Sequence, residues 1–185
     1  RLILISIGIW LGLAFNASAA QVCPATQDAD PPTDWGARGC IDQHIYELRP
    51  NGQMVWVRTS VEVADAIATQ PLALRLSGRF SARLWINGQA VGRNGLPGLD
   101  RASEAPGLMD VEITLPDGVV RAGDNEIILL VSDQHAWIDL AHPFHGLSIL
   151  PLGGGPDIYL LVRRVMPVMA LGILLAGLIY FAGLA

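Results

Sequence analysis

From Met54 to Val63 the chain alternates, with Val55, Val57, Thr59, Val61 and Val63 set against Trp56, Arg58, Ser60 and Glu62. A period of two sustained over a whole strand predicts one face on a core. Leu72, Leu74 and Leu76 repeat the pattern, and Ala82, Leu84 and Ile86 carry it into Asn87-Gly88. That dipeptide is the favoured two-residue type I′ turn, so a hairpin is expected there. Alternation resumes at Met109, Val111, Ile113 and Leu115, stops at Pro116-Asp117-Gly118, and returns after Ala122-Gly123-Asp124-Asn125 as the continuous apolar run Ile127 to Val131. Such a run suits a strand buried on both faces. A short strand, Leu147 to Leu150, closes the series. Between the strands, Arg93 to Gly107 holds three glycines and two prolines without periodicity and reads as a long loop. No helical period interrupts residues 54–152. Short strands separated by turn signals predict an all-β domain, an antiparallel sandwich or jelly roll.

The two ends are different. Leu2 to Phe15 is an apolar run too short to span a bilayer comfortably, followed by Asn16-Ala17-Ser18-Ala19-Ala20. This is the grammar of an export signal (residues 1–20) with cleavage near Ala19 or Ala20; an uncleaved signal anchor is the alternative. Val22 is too large to precede a lipidated cysteine, which disfavours lipidation at Cys23. Val165 to Leu184 carries no charge, and about twenty residues at about 1.5 Å each match a hydrocarbon core of about 30 Å. A membrane helix is therefore expected over 165–185, after a linker (153–164) that contains Gly153-Gly154-Gly155-Pro156. Arg163-Arg164 before it runs against the positive-inside tendency if the domain is exported. Gly172 and Ala176 have the small-xxx-small spacing that permits close helix contact, which is compatible with a homodimer.

Residues 21–53 are expected to form an irregular leader, because Asp30-Pro31-Pro32 fixes φ twice and discourages helix. Cys23 and Cys40 are the only cysteines. Joined, they close a loop at the start of the exported chain and stabilise it by about 3 kcal/mol in the chain-entropy model. Two buried thiols are the alternative, since sequence alone does not measure the Cα separation a bridge needs.

Composition narrows the partners. The net charge is −5, and every basic residue is arginine or, at four positions, histidine. No basic stripe is present to attract phosphates, so a nucleic-acid role is excluded.

The order Trp56-x-Arg58, Leu72-x-Leu74-x-Leu76, Ala82 to Gly92 (ARLWINGQAVG) and Ala122-Gly123-Asp124-Asn125-Glu126 before an apolar strand resembles the galactose-binding-like jelly-roll domains. Those domains occur as accessory sugar-binding modules of family 2 glycoside hydrolases and as periplasmic regions of bacterial sensor proteins. The resemblance covers about Met54 to Leu150 and rests on hairpin and turn residues, so it implies the fold and no ligand contact. With the membrane helix following, the chain resembles the input half of bacterial transmembrane sensors. The resemblance then implies an inner-membrane protein with its β domain in the periplasm, and a histidine kinase or diguanylate cyclase output beyond Ala185.

Candidate chemistry is sparse. Trp85, beside Asn87, offers an aromatic platform to a sugar ring, although sandwich tryptophans more often pack, and Trp56 and Trp137 are read the same way. Arg93, Asp100 and Arg101 in the long loop are further ligand-contact candidates, with ordinary surface charge as the competing reading. His135, His142 and His145 fall near Asp133 and Asp139, but their spacing matches no ligand pattern, so no metal site and no cofactor are expected. Asp110 and Glu112 sit where a solvated strand face would place them. No nucleophile elbow, phosphate loop or zinc-protease helix occurs, which leaves no catalytic site in this sequence.

These readings converge on an exported ligand-sensing region of a membrane-bound receptor. The alternative is an anchored carbohydrate- or protein-binding module without signalling. An accessory domain of an anchored glycosidase ranks last, because no catalytic carboxylates stand in context. The ligand, whether small molecule, carbohydrate or protein, is not legible.

Overall fold

The computed structural model describes residues 19–26, 30–36, 39–136, 143–152 and 165–183. The chain divides into two units, Arg1–Leu152 and Gly153–Ala185. In the first unit the order is β1 (Ala19–Pro24), β2 (Ile41–His44), a 3-10 turn (Ile45–Glu47), β3 (Met54–Val63), the one-turn α1 (Asp65–Ala68), β4 (Leu72–Gly78), β5 (Ser81–Ile86), β6 (Gln89–Asn94), β7 (Asp110–Thr114), β8 (Gly123–Ser132) and β9 (Phe144–Pro151).

Six strands form one sheet in the order β2-β1-β3-β8-β5-β6, and three form a second in the order β7-β4-β9. All named pairings are antiparallel. From β3 onward every connection except the β5–β6 hairpin passes from one sheet to the other, the winding of a jelly-roll sandwich. The strand periods read from sequence explain this. Val55 and Val57 of β3, Leu72, Leu74 and Leu76 of β4, Ala82, Leu84 and Ile86 of β5, and Ile127, Leu129 and Val131 of β8 belong to one buried cluster between the sheets. Phe144 joins it from β9, stacked on Phe80 at 5.6 Å.

The opposite face of the larger sheet is also covered. Met54, Trp56, Trp85, Ile128 and Leu130 form a second cluster with Cys23 and Ala25, against which Trp35 and Cys40 pack. This second layer is why Ile127–Val131 reads as a continuous apolar run: odd residues face the sandwich and even residues face the leader.

The leader departs from expectation. Instead of being irregular throughout, residues 21–53 contribute most of β1, all of β2 and a 3-10 turn, and β1 sits inside the sheet between β2 and β3. Its pairing with β3 (Val22↔Val57, Cys23↔Trp56) supplies the order that local composition conceals. β1 is too short and too poor in branched residues to announce itself. The small residues read as a cleavage site run into this strand, and Ala20 is 1% exposed. The apolar run before them and the linker 153–164 lie outside the described residues. Cys23 and Cys40 form a disulfide with a Cα separation of 4.2 Å.

The predicted hairpin is present. Asn87 (φ 50°) and Gly88 (φ 81°) both take the left-handed conformation that a type I′ turn requires, and the register shifts between Leu84 and Trp85, just before the turn. Arg93 and Asn94, expected in the long loop, belong to β6 instead, with Arg93 opposite Arg83. Cross-strand pairing extends the hairpin past the point where its hydrophobic period ends.

In the second unit, α2 (Met166–Gly183) has 18 residues and a side-chain set with no Asp, Glu, Lys or Arg. At about 1.5 Å per residue it is about 27 Å long, enough to cross a membrane with slight thinning or snorkelling at its ends.

Candidate functional site

The loop from residue 95 to 109 is tied down along its length. Leu96 and Ala105 exchange backbone hydrogen bonds of 2.8 and 2.9 Å. Gly95 (φ 74°) makes this approach possible, since a Cβ there would clash with the Ala105 carbonyl oxygen. Asn94 imitates a strand partner: its Nδ2 donates to the Leu108 carbonyl at 2.7 Å and its Oδ1 accepts from the Leu108 N–H at 2.8 Å. At the tip, Asp100 accepts from the Ser103 N–H at 2.8 Å and from its hydroxyl at 2.7 Å. These bonds hold the Asp100 carboxyl below its ordinary value.

Folded this way, the loop aims Glu104 inward. Its side chain is 1% exposed. One oxygen accepts from the Ser132 hydroxyl at 2.8 Å; the other accepts from the His135 N–H at 2.8 Å and lies 3.0 Å from His135 Nδ1. Ser132 Oγ also accepts from the Gly98 N–H at 3.0 Å. A carboxylate this deep is tolerated only when its lone pairs are occupied in this manner.

The residues just after β8 gather two further segments. Asp133 accepts from the Gly52 N–H at 2.7 Å, and Gln134 Nε2 donates to the carbonyls of Gly52 (2.8 Å) and Leu99 (3.0 Å). Burial is the main reason the Asp133 carboxyl stands above its ordinary value, and the nearby Glu104 charge adds to it.

Between the loop and this end of β8 lies a cleft of about 190 Å³. Arg79, Glu104, Asp133 and His135 supply its ionisable groups, and Phe80 and Met109 are among its apolar lining. A second depression of about 360 Å³, bounded by residues 68–72, 115–118 and 120, has Asp117 as its one ionisable group among the described residues. The first cleft combines several ionisable groups, one of them with shifted titration, and an apolar wall, which makes it the candidate binding site.

The sequence-derived candidates do not converge there. Trp85 is 7% exposed and tilted against Trp56 at 5.4 Å, filling the layer beneath the leader. Asn87 is committed to the turn: its Nδ2 donates to the Val119 carbonyl (2.8 Å) and to Asn125 Oδ1 (2.9 Å), and its Oδ1 accepts from the Glu126 N–H (3.1 Å). Arg93 is exposed on edge strand β6, while Asp100 and Arg101 lie at the tip of the 95–109 loop. Of the histidine group, His135 lines the cleft and His145 is exposed in β9, while Asp139, His142 and Trp137 lie outside the described residues. Among the described residues no group of three or more His, Cys, Asp or Glu is placed to hold a metal ion. Glu104 and Ser132 had no sequence signal. Each is a lone polar residue in a loop or at a strand end, and only the loop's closure brings them together.

No family model matches the chain, and no curated protein matches it. Among solved structures it is similar to a Bifidobacterium dentium β-glucuronidase complexed with coumarin-3-O-glucuronide, at 16% identity and TM-score 0.45, over 62% of this chain and 19% of that one. A glycosyl hydrolase family 2 member from Bacteroides cellulosilyticus matches at 14% identity and TM-score 0.45, over 74% and 20%. A Dictyoglomus thermophilum β-D-glucuronidase matches at 11% identity and TM-score 0.43, over 73% and 24%. The chain thus spans about a fifth to a quarter of these enzymes' length.

Proposed function

We propose that this chain is the extracytoplasmic ligand-sensing region of a membrane-bound bacterial signal-transduction receptor. The observation that carries the reading is the Cys23–Cys40 disulfide, which closes the leader over the sandwich of a domain followed in sequence by an apolar helix of membrane-spanning length. Disulfides persist in oxidising compartments, and a domain held on a membrane in such a compartment meets ligands from outside the cell. The cleft beside Glu104 is the place where a ligand would act. Signalling further requires two states of the domain that a ligand distinguishes.

Reporter fusions test the topology. Alkaline phosphatase joined after Leu152 is expected to be active, and the same enzyme joined after Ala185 inactive. The reverse pattern overturns the reading. A chimaera in which residues 1–185 precede a histidine kinase output region tests the signalling half: its autophosphorylation is expected to change when the cleft is altered by Asp133→Asn. An unchanged output favours a displayed carbohydrate- or protein-binding module instead.

A further inference from the structure

We propose that the cleft between the 95–109 loop and the end of β8 binds a small organic cation, an ammonium group on an apolar body, with Asp133 receiving the charge. The inference rests on the domain being a ligand-binding one and names the ligand class at its cleft.

Charge is the first ground. Among the described lining residues, two carboxylates, Glu104 and Asp133, stand against one guanidinium, Arg79. The two carboxylates are not equivalent. Glu104 is compensated by Ser132 and by both His135 nitrogens that face it. Asp133 is held by backbone N–H groups of Gly52 and Asn51, and among the described residues no cationic side chain stands within ion-pair distance of it. It is therefore a half-buried carboxylate with no described cationic side chain in ion-pair contact, and burial first, with the Glu104 charge added, holds its carboxyl above the ordinary value. A bound monocation removes that penalty. A neutral alcohol fills hydrogen-bonding positions without offsetting the charge, and an anion adds to the repulsion.

Shape is the second ground. Phe80, Pro106, Met109 and Ala136 line the same space, so a ligand carrying only charge would leave apolar surface wet. Phe80 is fixed by its stacking on Phe144, whereas Met109 is 51% exposed and has room to adjust over a guest. The loop that forms the other wall is already closed by the Leu96–Ala105, Asn94–Leu108 and Glu104–His135 bonds, so little ordering remains for binding to do.

Titration calorimetry on the full chain in detergent micelles tests this with three probes of one shape: phenethylammonium, 2-phenylethanol and 3-phenylpropionate. Saturable binding of the ammonium compound and none of the other two is expected. Asp133→Asn keeps an oxygen for the Gly52 N–H and is expected to stay folded by circular dichroism while weakening phenethylammonium about tenfold or more. Met109→Ala, at a half-exposed position, is expected to weaken it by a smaller factor. Equal binding of the alcohol, unchanged binding to Asp133→Asn, or no binding to a folded chain overturns the inference. A neutral hexose such as D-galactose, bound where phenethylammonium is not, overturns the cation class and leaves the ligand-binding reading standing; the topology fusions judge the membrane reading separately.

Discussion

Glu104 grips His135 at two points, its Oε2 accepting the backbone N–H at 2.8 Å and lying 3.0 Å from the ring Nδ1, while its Oε1 takes the Ser132 hydroxyl. One side chain from the long loop thereby closes that loop onto the end of β8. Glu104→Ala leaves the Ser132 hydroxyl and the His135 N–H without their acceptor. A loss of about 1–3 kcal/mol in unfolding free energy is expected, the cost of buried donors left unsatisfied. Hydrogen exchange should locate the damage, with faster exchange in residues 95–109 than in β3 or β8. Uniform protection would contradict the latch.

Asp133 contributes the opposite sign. Burial raises its carboxyl above the ordinary 3.8, so the folded state holds this proton more tightly than the unfolded chain does. Stability from this group is fully present below the unfolded value and is lost as pH rises through the folded one. Asp133→Asn removes that loss while retaining an acceptor for Gly52. The variant is expected to melt about 1–3 °C higher than the parent at pH 7, with the gap narrowing as pH falls toward 4. A melting curve lower than the parent's at pH 7 would show that the ionised carboxylate stabilises the fold.

The disulfide holds the outer layer rather than the space between the sheets. Cys23→Ser with Cys40→Ser is expected to cost about 2–4 kcal/mol. Trp56 and Trp85 lie in the layer that loosens, so tryptophan emission should shift to the red before the sandwich unfolds. Emission unchanged up to global unfolding would place the leader's stability elsewhere.

Asn125, wholly buried, ties three segments. Its Nδ2 donates to the carbonyls of Arg121 (2.7 Å) and Gly123 (2.9 Å), and its Oδ1 accepts from the Arg121 N–H (2.9 Å) and from Asn87 Nδ2 (2.9 Å). Asn125→Ala strands four partners at once. A cost of about 3 kcal/mol is expected by chemical denaturation, several times that of an ordinary surface change.

α2 is tested by charge. Ile173 is 72% exposed on an apolar helix, and Ile173→Arg is expected to cost about 2.5–3.5 kcal/mol in membrane insertion. Carbonate extraction should then release part of the protein that the parent retains. Equal retention would separate the helix from the anchoring role.

Much of the sandwich was legible because a strand writes its own burial into the chain. The bounds Met54–Val63 and the inward face of Val55, Val57 and Val63 match β3, although Met54 and Trp56 on the other face are buried too; Asn87-Gly88 marks the hairpin, and Ile127–Val131 betrays a strand covered on both sides. β1 was not legible: its place between β2 and β3 depends on partners, and its own few residues show no period strong enough to compete with the prolines that follow. The candidate site was hidden for a related reason. Trp85 and Asn87 are aromatic and polar residues beside a turn, yet both are consumed by packing and turn bonding, while nothing in its local sequence sets Glu104 apart from any loop carboxylate.

By itself, then, the order of residues determined what is local: strand periods, a turn that only positive φ satisfies, and an uncharged stretch as long as a bilayer is thick. Tertiary structure alone decided which distant groups share a dielectric environment. Glu104 meets Ser132 and His135 across 28 and 31 positions, and Asp133 meets Gly52 across 81. Burial and partnership are properties of the closed loop and the packed sheets, and no window of sequence that short contains them.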